Sequence, residues 1–591
     1  MRDDGAVVGR RRKSSRLWLR GRVSSSMAKR VQDGRDAVRF LSAALLISAP
    51  AALVAMSADG ATQSVNPGSA WCGVVNAAAP GDTIVFAAGI YTGTCSITAS
   101  GSLAAPITLR SQTASAADRA VLAYPGTSSN IIDVYGSYLV FRWLTFGPTA
   151  PGAGVNPLKL RSSVQGIVVD QNVFQGTDIA VAANSSGSTY RSISITNNVL
   201  TNMQSTSLYF GCHDGTSCHA LDILIQGNVI DTVQPGDGVG YGLEIKLNSW
   251  ATILENTVYD PQGPGIEVYG SNRGDPPSVV ERNYVEGSRN DAGINVGGGP
   301  AIVRNNIVVG NAYNGIWAQD YAGRGLQQNV WIVENTALAN QTGGIKVSNW
   351  QAGAGNILAF NAVAPLLGTP ALTPASPIAD TLLGNVACVP AASCFVQPVS
   401  APYDLWPLSG GPLIGAAASG MEPWRVGNDF MCAPRGIAAD TGAMQRTSAG
   451  NGPPLGGGSA RPACGSGGTL LHTLTPCRAV DTRNAPGAWG GPALLAGTER
   501  SFVLASRCGI PPTARAVTAN VTVATPTAAG VLSLRPGGTA PLLASTINYA
   551  TGQTRANNAV LLLGAGGDVV VACGQASGTT QFILDVTGYF Q

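Results

Sequence analysis

Six copies of a short phrase, Gly-apolar-x-apolar-x or a close relative of it, place chemically capable side chains at alternate positions. They lie at 207–211, 242–246, 265–269, 293–297, 315–319 and 344–348. Their x positions form two rows. One row is Tyr209, Glu244, Glu267, Asn295, Trp317 and Lys346; the other is Gly211, Lys246, Tyr269, Gly297, Gln319 and Ser348. Lys, Tyr and Glu are proton-transfer groups when their surroundings tune them. Glu244 and Glu267, one phrase apart, approach the carboxylate separation of a retaining glycosidase. With Asp237 nearby they also make an oxygen ligand set of the kind Ca²⁺ prefers. Trp317 and Tyr321 offer aromatic faces for a sugar ring, and Asn295, Gln319, Lys346 and Tyr209 offer polar contacts beside them. This mixture of carboxylates, Lys, aromatics and amides suits a sugar-binding groove. The plainer alternative is a solvated column, with Lys246 relieving the repulsion of two stacked glutamates and the aromatics as filler. Asp320 and Arg324 then make a surface ion pair of little energetic weight.

The elements that position these rows follow from alternation. Side chains alternate faces along a strand, so apolar residues in phase point inward and the x residues point to water. A second phrase, apolar-x-apolar-x-x-Asn-apolar-apolar, recurs with Asn172, Asn198, Asn228, Asn256, Asn283, Asn306, Asn335 and Asn361 in one place, and Leu144 holds that place one copy earlier. Repeats of 20–50 residues with no helical segment between predict a solenoid whose coils bury their apolar faces only by stacking. Asn at one corner of every coil predicts a ladder of amides bonded above and below. The fold class is therefore all-β: a parallel β-helix followed by a small antiparallel β-sandwich. The sandwich is predicted from alternating runs at 516–523, 530–534, 559–563, 569–572 and 582–586, separated by Gly, Pro and Asn turns.

On these residues the chain resembles the right-handed parallel β-helix, or pectin-lyase-like, superfamily over about 64–445. Residues 80–91 and 105–110 look like its first coil, 72–79 like its helical cap, and the stretch from Asp429 through Arg435 and Asp440 to Ala443 like its last coil. The region around Glu244, Lys246, Asn256 and Tyr269-Gly270 is similar to the motif region of the alginate lyase and chondroitinase B family. The resemblance implies β-elimination on a uronate chain, with Lys246 as base and Tyr269 as proton donor. Val268 and Tyr269 stand where that family has Arg and His. The C-terminal residues Asp481-Thr-Arg483, Asn520, Asn548, Asn557 and 585–590 resemble a domain found at the ends of large secreted bacterial proteins, a resemblance that implies no activity; in the adhesion alternative this domain attaches the protein to a cell surface or partner. Asp481 and Arg483 read as a structural ion pair.

Composition sets the outer bounds. Of 591 residues, 12% are charged, about half the usual share. Residues 1–40 hold 12 of the 36 Lys and Arg, and beyond residue 40 the lysines are Lys159, Lys246 and Lys346. The body thus has no broad basic face, and nucleic-acid binding is not expected. The apolar run 40–56 after Arg-rich sequence reads as a secretory signal within residues 1–60, with Met27 as a second plausible start; it is short for a membrane span. A single N-terminal anchor is the alternative. Residues 446–468 read as a flexible linker and 469–591 as the sandwich domain. Eleven Cys suit an oxidising destination, with Cys72/Cys95, Cys212/Cys218 and Cys388/Cys394 as local pairs and at least one thiol left over. Cys212, His213, Cys218 and His219 are otherwise metal-ligand types. The expected protein is a secreted or surface-bound bacterial protein. It binds an anionic polysaccharide and is a candidate to cleave it by elimination, against a non-catalytic adhesion rod or a glycoside hydrolase on the same scaffold.

Overall fold

The computed structural model describes residues 60–590 apart from 151–153, 235–238, 418–426, 436–438, 447–470, 512–513, 540–544 and 565. The signal segment, nearly all of the linker and Asp237 lie outside the described residues. The chain divides into two compact units between Ala463 and Cys464.

In the first unit each coil gives one strand to each of three parallel sheets, here A, B and C. Among the described residues these hold 13, 12 and 11 strands. One coil runs Thr189–Thr196 in A, Val199–Met203 in B and Leu208–Phe210 in C. Its Ile193, Ile195, Leu200, Leu208 and Phe210 are all fully buried. The register keeps like over like, Ile193 on Ile223 and Ile195 on Ile225, so the apolar columns run unbroken along the axis. Phe146 and Phe174 stack inside at 4.9 Å.

The Asn ladder stands at the corner between A and B. Asn228 Oδ1 accepts from Asn198 N at 3.0 Å, and Asn228 Nδ2 donates to Asn256 Oδ1 at 2.9 Å and to Ile195 O at 2.8 Å. The same pattern runs on to Asn385, one rung past the repeat visible in sequence. Ahead of each rung sits a residue with positive φ, among them Asn197 (54°), Glu255 (56°), Arg282 (52°) and Glu334 (55°). This left-handed bend is costly for residues other than Gly and Asn. The amide behind it satisfies the backbone groups that the bend exposes. A second ladder stands at the corner between B and C: Asn311 donates to Asn340 Oδ1 at 2.8 Å and accepts from Ser288 N at 2.9 Å.

A short helix, Trp71–Asn76, covers the N-terminal end and is tied to the first strand of C by the Cys72–Cys95 disulfide. The C-terminal part of the unit differs from expectation. The described residues of the 429–443 stretch, 429–435 and 439–443, join none of the three sheets. They fold back outside the solenoid, where Arg435 Nη2 donates to Asn305 Oδ1 at 2.9 Å and Ala443 N to Thr336 Oγ1 at 3.0 Å. The reason is apolar: Phe430, Ala443, Leu405 and Trp406 cover Tyr284, Ile307, Val309 and Leu338, which point outward from sheet B. A last coil stacked on the end would have left that face wet.

The second unit is a pair of antiparallel sheets sharing one core. Leu471–Asp481, Thr579–Phe590, Ala516–Ala524 and Arg555–Leu562 pair in that order, with Leu494–Leu495 beside them. Glu499–Val503, Asp568–Gln575, Gly530–Pro536 and Ile547–Tyr549 form the facing sheet. Val521, Val523, Phe502, Val571 and Phe582 meet between them. Arg483 pairs with Asp481 at 2.7 Å, as read from sequence.

Candidate functional site

The outer face of sheet C carries both rows in the predicted register. Tyr209 lies beside Glu244, Glu244 beside Glu267, Glu267 beside Asn295, Asn295 beside Trp317 and Trp317 beside Lys346. Adjacent coils are about 4.8 Å apart, so residues more than twenty apart in sequence become neighbours. The row also extends backward through Ala182 to Lys159 and Asp133. All three lysines beyond residue 40 therefore share this face. Lys159 escapes the sequence phrase because Pro157 stands where the other copies have Gly or Ser.

Exposure is where the expectation fails. Glu244 (1%), Lys246 (5%), Glu267 (2%), Tyr269 (1%) and Asn295 (2%) are buried, whereas Tyr209, Trp317, Gln319, Tyr321 and Lys346 are half-buried. The rows do point out of the solenoid, but loops roof them over. The Cys212–Cys218 disulfide closes one loop whose Gly215 accepts from Asn248 Nδ2 at 2.9 Å. His213 on that loop packs edge-on to Tyr269 at 6.2 Å and Tyr321 at 6.0 Å. Tyr321 packs edge-on to Tyr269 at 4.8 Å, and Leu247, Tyr269 and Leu326 form a small apolar cluster. Cys212 and Cys218 are thus disulfide-bonded and are not metal ligands.

Under this roof Lys246 Nζ lies 2.5 Å from Glu244 Oε2. It also lies over the rings of Tyr209, Tyr241 and Tyr269, 4.8, 5.5 and 4.7 Å from their centroids. Such a cage of ring faces stabilises an ammonium cut off from water. The Tyr241 and Tyr269 hydroxyls meet at 3.1 Å. Burial pushes the Glu244 carboxyl up to about 7 although Lys246 opposes the shift. Burial pushes Glu267 well above the usual carboxylate range, reinforced by Asp291 and Glu244. Burial also raises the Tyr269 hydroxyl, with Glu267 adding to the effect, so Tyr269 keeps its proton at neutral pH. Glu267 Oε1 and Asn295 Oδ1 are buried without a hydrogen-bond partner. The unit holds proton donors and one caged cation, and in this covered form Lys246 is an ion-pair partner with no access to a substrate proton.

Two further expectations change. Trp317 and Tyr321 do not form one stacking platform: Lys346 Nζ lies 4.2 Å from the centre of the Trp317 ring, and Tyr321 faces His213 and Tyr269. Asp320 and Arg324 do not pair with each other; Asp320 Oδ1 accepts from Gly325 N at 2.8 Å and the Arg324 guanidinium lies over Tyr321. For Ca²⁺, the donor set in place is two neighbouring carboxyls, one held by an ammonium and the other favoured in its neutral form. Among the described residues no group of three His, Cys, Asp or Glu is gathered as a metal site. Asp237, the third expected ligand, lies outside the described residues, and the two carboxyls by themselves fall short of the six or more oxygens a hard dication takes.

Residues 223–363 match the family model described as "Right handed beta helix region", and the solenoid is a right-handed parallel β-helix. Among curated proteins none matches the chain. Among solved structures the chain is similar to a PL6-family polysaccharide lyase from Pseudopedobacter saltans, at 15% identity and a TM-score of 0.38, covering 55% of this chain and 92% of that one. It is also similar to an alginate lyase from Paenibacillus sp. str. FPU-7, at 21% identity and a TM-score of 0.35, covering 50% and 97%. A third is the A-module of the mannuronan C-5 epimerase AlgE4 from Azotobacter vinelandii, at 12% identity and a TM-score of 0.29, covering 52% and 88%.

Proposed function

We propose that the solenoid binds an anionic polysaccharide along the outer face of sheet C. One observation carries this reading. In a body with little charge, all three lysines fall on one face, in register with Tyr209, Trp317 and a column of amides and carboxyls. A chain of acidic sugars offers regularly spaced anions and ring faces, and these groups meet both. The local disulfides fit an exported protein. The C-terminal sandwich, which has no lysine and whose Asp481 is tied up by Arg478 and Arg483, is read as the unit that attaches the rod to a surface.

Elimination is the second reading, favoured by the proximity of Lys246 to Tyr269. It requires the roof to open, because the Lys246 side chain is 6% exposed. Binding without cleavage, as in an adhesion rod, requires no such opening. Retention on immobilised alginate, pectate, chondroitin and heparan, against a neutral glucan, tests the first reading. The ultraviolet absorbance of an unsaturated uronate product, with and without Ca²⁺ and in Lys246→Ala, tests the second. Reducing ends without that absorbance would move the chemistry to hydrolysis at Glu244 and Glu267. Equal retention on the neutral glucan would remove the polyanion reading.

A further inference from the structure

Three coils before Glu244, about 14 Å along the axis, the same face carries an excess of positive charge. Lys159 and Arg161 sit at alternate positions, so both leave sheet C on its outer side. Arg161 Nε pairs with Asp133 Oδ1 at 2.8 Å, and that oxygen also accepts from Asn130 Nδ2 at 2.8 Å. Lys159 Nζ has a neutral partner, Asn184 Oδ1. Two cations thus share one carboxylate that is already engaged. The preceding strand brings Asp133 and Tyr135 to this place, and the following strand brings Ala182 and Asn184. The charges acting on Lys159 are Arg161 and Asp133. Burial first, and then Arg161, bring its ammonium down to about 8, with Asp133 opposing. Arg161 is one-third exposed, and Tyr135 beside it is 46% exposed.

We infer that Lys159 and Arg161 form a carboxylate-binding subsite, with Tyr135 as the ring contact, for an acidic sugar of the polysaccharide bound along sheet C. This rests on the reading above and names its anion-recognising residues. The guanidinium keeps free donors for a second carboxylate, and an arriving anion relieves the repulsion between the two cations. Binding then restores the Lys159 proton. Near pH 8 the complex takes up a fraction of a proton that the free protein lacks.

Calorimetric titration with an alginate hexasaccharide and a hexagalacturonate, at pH 8 in two buffers of different ionisation enthalpy, reads affinity and proton uptake together. Wild type is expected to bind at least one of the two and to take up protons. Lys159→Met is expected to bind at least about tenfold more weakly, without uptake. Lys159→Arg keeps the charge without a titration near pH 8, and is expected to bind nearly as wild type but with no uptake. It also guards against misreading a folding defect in the Met variant. Should wild type bind a hexasaccharide while both Lys159→Met and Arg161→Gln match its affinity and proton uptake, the subsite falls and the polyanion reading stands. Failure of wild type to bind either oligouronate would remove both.

Discussion

Replacing Asn256 by Ala should open the solenoid locally at one corner. Asn256 is fully buried. Its Nδ2 donates to Ile225 O at 2.9 Å and to Asn283 Oδ1 at 3.0 Å. Its Oδ1 accepts from Asn228 N at 3.0 Å and from Asn228 Nδ2 at 2.9 Å. Alanine removes these four bonds and leaves the Asn228 N–H in a buried bend without that acceptor, which costs about 1–3 kcal/mol. The other three bonds, at about 1 kcal/mol net each, bring the total to about 4–6 kcal/mol. Because each coil contacts only its neighbours, the loss should appear as local opening. Hydrogen exchange of the peptides spanning 223–230 and 253–258 should speed up by at least about a hundredfold, while a coil near residue 340 stays at the wild-type rate. An effect below about 1 kcal/mol, or one spread evenly over the solenoid, would refute the argument that the amide ladder, and not apolar stacking alone, holds the A–B corner.

Glu244 gives a pH prediction with a definite sign. Its folded carboxyl titrates near 7 against 4.5 ordinarily, so the folded state holds the proton more tightly and stability falls as pH rises through that window. The difference is on the order of 3 kcal/mol. Urea unfolding of Glu244→Gln should therefore show a shallower loss between pH 4.5 and 7; parallel pH profiles would contradict the buried environment. Cys212→Ser with Cys218→Ser should loosen the roof, so that an amine-acylating reagent that spares Lys246 in the native protein labels it in the variant. Lys246 still unlabelled would mean that Tyr321 and its loop cover the site alone.

The sequence already contained the coil corners and the side-chain register, because both are local: an alternation of two and an Asn at one turn. The burial of Glu244, Lys246 and Glu267 was not visible, since the cover comes from His213, Tyr241 and Tyr321, whose contacts depend on how loops from different coils fold over one another. Tyr241 stands just before a Gly phrase and carried no periodic signal. Lys159 was recoverable: extending the outward row two coils backward, past a Pro in place of Gly, places it on the same face. The fold-back of 429–443 was hidden for another reason. Outward apolar residues of sheet B such as Ile307 and Val309 look, in sequence, like part of one continuous apolar run.

Hydroxyl-radical footprinting of the protein with and without a retained polyuronate tests the location of binding most directly. Protection concentrated on Tyr135, Tyr209 and Trp317 of sheet C is the predicted result. Protection on Tyr259 of sheet B, Trp331 of sheet A or Trp489 of the C-terminal unit, with the sheet C aromatics unchanged, would contradict the account.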